Sequence, residues 1–315
     1  MIKRIVLLTA GLLFAGQVFA ATELQPLVDV QWLQANKDNA DVVVLDVRNT
    51  IDGGSREVFE QGHIPGAVYS NYAQAGWRVK RDGVVAKLPP VADLEALIGA
   101  LGIDNESAVV VVPAGVGATD FGSAARVYWT FKVLGHDRVA ILDGGYKAWV
   151  AAGAPVEQGW NAPEAAAFQA NFRPRMVADT ADVEAAMAEG IQLVDSRPAE
   201  HFLGRGKHPA ARAAGTIPGA INLEQQKLVK GESTEFVSRE TLQQLIDEAE
   251  VAREPTITFC NTGHWASTGW FALSEIAGYQ NVTMYDGSMV EWAADESRPL
   301  QVEKRGLQKL LSIFD

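Results

Sequence analysis

Two α/β domains in tandem, each a mainly parallel sheet flanked by helices, are what this sequence predicts, and three observations predict it. The chain has 315 residues, 48% of them hydrophobic, with no low-complexity tract, which suits two ordinary domains. Short β-rich runs free of charge alternate with segments of helical apolar spacing, as in parallel strands buried on both faces and joined by helices. Four blocks recur in one order about 150 residues apart, a period too long for a solenoid and suited to a duplicated domain.

The elements follow in chain order. Residues 1–20, MIKRIVLLTAGLLFAGQVFA, join a basic start (Lys3, Arg4) to an apolar stretch, with Val18 and Ala20 placed as in a signal-peptidase site. Cleavage before Ala21 and export to a periplasmic space are expected, since the apolar run falls short of the ~20 residues that span a bilayer. No other segment is long and apolar enough to cross one. The first domain is expected over residues 21–156 and the linker over 157–175, which is polar and interrupted by Pro163 and Pro174. The second domain is expected over 176–300, followed by a tail, 301–315.

In the first half the blocks are VVVLDVR (42–48), FEQGHIPGAVYSN (59–71), VVVVPAG (109–115) and DRVAILDGGYKAW (137–149). Their counterparts are IQLVDSR (191–197), AAGTIPGAINL (213–223), TITFCNTG (256–263) and QNVTMYDGSMVEW (280–292). VADLEALIGALGI (91–103) and SRETLQQLIDEAEV (238–251) have helical spacing, the latter with Ser238 as N-cap. In such sheets ligands sit beyond the carboxyl ends of strands. Asp195 with Arg197, mirrored by Asp46 with Arg48, is expected to form a buried polar brace. Trp149 and Trp292 are expected in the core, and Asp286 with Gly287 in a turn.

The net charge of −12 excludes a general nucleic-acid or anionic-membrane partner, which would need a basic face. Against this background GRGKHPAAR (204–212) gathers Arg205, Lys207, His208 and Arg212. It is either a solvated surface loop or the anion-binding border of a cleft, with Arg205 as the candidate contact. Five scattered histidines and one cysteine give no metal-ligand spacing, and no glycine-rich phosphate motif is present, so neither metal nor cofactor is expected.

Cys260 is the only cysteine, so any thiol chemistry belongs to it. It closes a β-rich run, NTGHWAS follows, and residues 268–277 read as a helix ending at Gly278. A cysteine between strand end and helix start faces backbone N–H groups and the positive end of a helix dipole, which favour thiolate. Gly263 allows the loop to curl so that several amides point inward. The pattern alone leaves a small buried hydrophobe as the alternative. A cysteine-dependent phosphatase would place an arginine six positions after the nucleophile, where this chain has Ala266.

LVDSRPAEHFLG (193–204), GTIPGAINL (215–223), FCNTGHWAS (259–267) and YDGSMVEW (285–292) together resemble the catalytic half of two-domain rhodaneses and mercaptopyruvate sulfurtransferases. The first half, with GHIPGA (62–67) and LDGGYKAW (142–149), resembles their non-catalytic domain, and the likeness runs from about Val28 to Pro299. The resemblance implies that Cys260 takes a sulfane sulfur from a small donor, thiosulfate or 3-mercaptopyruvate, as a persulfide and yields it to a thiol or cyanide. It further implies that Asn261, Thr262, Gly263, His264 and Trp265 complete an amide cradle around that sulfur. The first half, with Pro113 or Ala114 in the cysteine's place, would be a scaffold that completes the cleft, and a monomer is expected. Asn261 and Thr262 are uncharged where thiosulfate-type loops carry cations, and Thr262 matches the hydroxyl residue of the mercaptopyruvate type. His264 and Trp265 replace a small aliphatic residue and a threonine. His201 stands where the family has a substrate-binding arginine and is the second candidate contact. His264 either sets the charge of the loop or contacts substrate, or is an exposed bystander. A non-enzymatic persulfide carrier or binding module is the alternative function.

Overall fold

In the computed structural model, which describes residues 24–160 and 162–303, the two repeats fold into two five-stranded, all-parallel sheets. The expected leader and its cleavage point lie outside the described residues, as does most of the 301–315 tail. The first half supplies β1 (Leu27–Val28), β2 (Val42–Asp46), β3 (Val68–Tyr69), an antiparallel hairpin of β4 (Val79–Arg81) and β5 (Val84–Lys87), β6 (Ala108–Val112) and β7 (Val139–Leu142). The second supplies β8 (Val177–Ala178), β9 (Gln192–Asp195), β10 (Ile221–Asn222), β11 (Thr256–Phe259) and β12 (Val282–Tyr285). The sheet orders, β1-β7-β6-β2-β3 and β8-β12-β11-β9-β10, are one topology twice. Every residue of the central strands β6 and β11 is buried, as uninterrupted apolar runs demand.

The helices are α1 (Val30–Asn36), α2 (Arg56–Gln61), α3 (Val91–Ala100), α4 (Ala118–Val133) and α5 (Gly145–Ala151), then α6 (Thr180–Glu189), α7 (Ala199–Phe202), α8 (Arg239–Glu248), α9 (His264–Trp270) and α10 (Ser288–Trp292). Ser238 caps α8, its hydroxyl accepting from Thr241 N. The chain of α9 continues as a wider π-type turn over Phe271–Ile276.

The duplication extends to single hydrogen bonds. Arg48 and Arg197 are buried on Asp46 and Asp195, and each guanidinium also donates to the carbonyl of a glycine, Gly62 or Gly215, at 2.9 and 2.8 Å. Trp149 and Trp292, both buried, donate to Pro155 O and Pro299 O. Tyr146 N and Lys147 N donate to Pro113 O and Ala114 O, just as Met289 N and Val290 N donate to Cys260 O and Asn261 O. Pro113 is therefore the residue that stands where the second half has its cysteine.

The halves pack through α4 against α9, the helices that follow these two matching loops. Phe121 and Tyr128 of α4 meet Phe271, with ring centroids 5.7 and 5.0 Å apart, inside one apolar cluster shared by both halves. Truncating a core phenylalanine costs about 3–5 kcal/mol, so this contact is strong enough to fix how the two loops face each other. Segment 157–175 runs along the first half, with Ala166 N on Gly99 O, Asn171 N on Leu134 O and Phe168 buried.

Candidate active site

Strand β11 ends at Phe259 and delivers Cys260, 1% exposed, to a cavity of about 260 Å³ between the halves. Asn261, Thr262, His264 and Trp265 line it from the second half together with His208, and Ile51, Arg78 and Thr119 from the first. A larger cavity of about 680 Å³ opens beside Val177, Thr256 and Thr283, at the amino ends of the second sheet, and has no cysteine or histidine in its wall. The chemistry belongs to the smaller one.

The loop after Cys260 is shorter than the sequence suggests. Gly263 takes φ +72° and α9 begins at once, so His264 and Trp265 are its first turn rather than loop residues. A helix start leaves its first N–H groups without acceptors a turn earlier, and the amides of Asn261 and Thr262 have no protein acceptor among the described residues. A Cβ on Gly263 would come within 2.2 Å of Arg126 Nη1, so the position requires glycine for space as well as for φ.

Two side chains hold the loop from behind. Ser288 accepts from Cys260 N at 3.0 Å and Gly263 N at 3.1 Å and donates to Tyr285 O at 2.9 Å. It does so at φ +51°, a conformation its first-half counterpart Gly145 (φ +60°) adopts without a side chain. Arg126 of α4, fully buried, donates to Gly263 O at 3.2 Å and pairs with Asp286 at 2.5 Å. Asp286, expected only to shape a turn, also accepts from Leu88 N of the first half.

His264 is neither exposed nor a titrating element of the loop. Its Nδ1 accepts from the Tyr72 hydroxyl and its Nε2–H donates to Thr119 O, each at 2.8 Å. Burial, with the Arg78 charge nearby, drives its pKa down to about 3, so the ring is neutral near pH 7. Gly122 of α4 makes room for it, since a Cβ there would lie 2.8 Å from Nε2. Trp265 Nε1–H donates to Thr119 Oγ1 at 3.3 Å.

His201 lies beside the loop, where its Nδ1 accepts from Asn261 Nδ2 at 3.2 Å and its ring stands 6.2 Å from that of Trp265. Arg205 is placed elsewhere: its guanidinium is held by Glu303 at 2.7 Å and is absent from the cavity wall. Lys207 is turned onto Ala211 O, and Arg212 onto Ala293 O and Glu296. Only His208 of the basic segment reaches the cavity. The partners of Arg205 and Arg212 are remote in sequence, which is why charge clustering alone pointed at the wrong cation.

The first half contains its own version of the loop, and there the amides of Ala114, Gly115 and Val116 all donate to the carboxylate of Asp120, at 3.1, 2.6 and 3.0 Å. This turn therefore holds an anion by its backbone, the behaviour expected of successive inward N–H groups. In the second half no carboxylate takes these amides among the described residues: Gly263 N is held by Ser288, and those of Asn261 and Thr262 are left without a protein acceptor beside the thiol. A rhodanese-like domain model matches residues 29–152 and again 179–295.

The chain belongs to the rhodanese-like family. A Haloferax volcanii relative, provisionally named a thiosulfate sulfurtransferase, is 32% identical over 87% of this chain and 96% of its own length. Thiosulfate/3-mercaptopyruvate sulfurtransferase 2 of Arabidopsis thaliana is 31% identical over 88% of this chain and 86% of its own. The crystal structure of SseA from Escherichia coli, described as a 3-mercaptopyruvate sulfotransferase, superposes with a TM-score of 0.73 at 26% identity, covering 84% of this chain and 98% of SseA. In this rhodanese-like pair the second half carries the thiol. Arg78, Thr119, Tyr72 and Arg126 of the first half complete its surroundings. None of those four was singled out in the sequence, whereas the Gly145/Ser288 difference between the two DGG/DGS blocks was a visible signal for Ser288.

Proposed function

We propose that this rhodanese-like chain is a sulfurtransferase that moves a sulfane sulfur from thiosulfate or 3-mercaptopyruvate to a thiol or to cyanide through a persulfide on Cys260. The observation that carries the reading is the contrast between two copies of one loop. The first closes its amides on Asp120 and begins at Pro113, whereas the second leaves those of Asn261 and Thr262 without a protein acceptor among the described residues, next to the chain's only cysteine. In the first step the Cys260 thiolate attacks the outer sulfur of the donor. A Cys–S–S bond forms as the donor's own bond breaks, releasing sulfite from thiosulfate, or pyruvate enolate, which then takes a proton, from 3-mercaptopyruvate. In the second, the acceptor attacks the outer persulfide sulfur and returns Cys260 as thiolate. Preorganised amides and the N-terminus of α9 stabilise negative sulfur before and after each transfer. A cavity of about 260 Å³ suits donors and acceptors of a few heavy atoms.

Intact-mass spectra after incubation with thiosulfate or 3-mercaptopyruvate should show the protein heavier by one sulfur, with cyanide restoring the original mass. Absence of the adduct with every donor would sink the reading. We also propose export with a mature terminus at Ala21, supported by the basic, apolar and small-residue pattern of residues 1–20. Terminal sequencing of secreted material tests it, and a start at Met1 would exclude it.

A further inference from the structure

Among the described residues Arg78 is the only arginine or lysine in the wall of the cavity over Cys260. The other guanidiniums considered for this site are neutralised: Arg126 by Asp286, Arg197 by Asp195, Arg205 by Glu303 and Arg212 by Glu296. Arg78 has no carboxylate or carbonyl partner among the described residues, and its Nε is buried without an acceptor. The side chain is nevertheless held in place. Its neighbour Trp77 is fully buried and donates to Ser70 Oγ at 2.9 Å, and the guanidinium lies 4.4 Å over the ring of Tyr72. Tyr72 is in turn fixed through its hydroxyl to the neutral His264. Stacking on an aromatic face orients a cation without cancelling its charge.

In a chain of net charge −12, leaving one partly buried cation without a counter-ion is costly unless something else supplies the anion. We infer that Arg78 grips the anionic end of the sulfur donor, a carboxylate or a sulfonate-like group, while Cys260 meets the sulfur. The planar fork of a guanidinium matches such groups better than an ammonium does. The first half is then a contributor to substrate recognition and not only a wall, and the grip takes the place assigned by sequence to Arg205. The identity of the donor rests on the sulfurtransferase reading; the anion grip does not.

The test uses the full chain and its single thiol. Iodoacetate and iodoacetamide alkylate a thiolate by the same displacement, are alike in size and differ in charge, so a change in the ratio of their rates at Cys260 between variants reports the grip without any turnover. Arg78→Gln should lower the iodoacetate-to-iodoacetamide ratio about tenfold, as for loss of one charge-assisted contact, and raise KM for 3-mercaptopyruvate with kcat little changed. Arg205→Gln should leave the ratio as in wild type. Should the glutamine variant not fold, Arg78→Lys carries the test, with an intermediate ratio expected from a charge that has lost its fork. An unchanged ratio in the Arg78 variants overturns the grip. A grip seen in a protein that accepts sulfur from no donor would uphold it and overturn the sulfurtransferase reading instead.

Discussion

Replacing Ser288 separates what its hydroxyl contributes from what its backbone costs. Ser288→Ala removes the acceptor of Cys260 N and Gly263 N and leaves two buried amides unpaired. Each unsatisfied buried donor costs about 1–3 kcal/mol, so a loss of roughly 2–6 kcal/mol is expected. Alanine also keeps a Cβ at φ +51°, where an L-residue is strained by about 1–2 kcal/mol. Ser288→Gly loses the same hydroxyl but relieves that strain, against an extra chain entropy of about 0.5–1 kcal/mol for glycine. The glycine variant should thus be more stable than the alanine variant by up to about 1.5 kcal/mol, and both less stable than wild type. Urea unfolding of the three proteins measures this, and single-turnover persulfide formation should slow at least about tenfold in both variants as the loop loses its rear support. Two variants within 0.5 kcal/mol of wild type, or alanine more stable than glycine, would refute the reasoning.

Cys260→Ser should keep its fold and lose both the persulfide adduct and transfer, because a serine hydroxyl does not ionise near neutral pH; mass spectra and circular dichroism check it. Arg126→Met strands the buried Asp286 carboxylate and should cost about 3–5 kcal/mol, much of it recovered in the double variant with Asp286→Asn, as a double-mutant cycle in urea would record. His264, with a folded pKa of about 3 below its unfolded value, contributes stability that is present above about pH 6.5 and is lost as pH falls toward 3. His264→Gln should flatten that acid limb in pH-dependent unfolding. Asp52, raised to about 7 by burial and by the Asp120 carboxylate, has the opposite sign: the folded state holds its proton longer, so stability falls as pH rises from about 4 through 7. Asp52→Asn should remove this decline, and an unchanged pH profile would contradict it.

The sequence by itself determined the duplication, the two parallel sheets, the buried Asp–Arg braces and the place of Cys260 at a strand-to-helix junction. Each of these is written in local periodicity, in short repeated blocks or in the chemistry of neighbours along the chain. The helix boundary was misjudged by four residues, because Gly263 turns the chain alone and His264 can enter the helix at once. Only the tertiary structure decided which charges serve the site. Arg205 stands in a basic run, yet Glu303 far along the chain neutralises it, while Arg78 stands in an unremarkable stretch and reaches the cavity unpaired. His264 looked free to titrate until α4 packed on α9 and buried it between Tyr72 and Thr119. The physical reason is common to all three: burial and the partner of a charge are set by contacts between segments remote in sequence, and these leave no pattern in either segment alone.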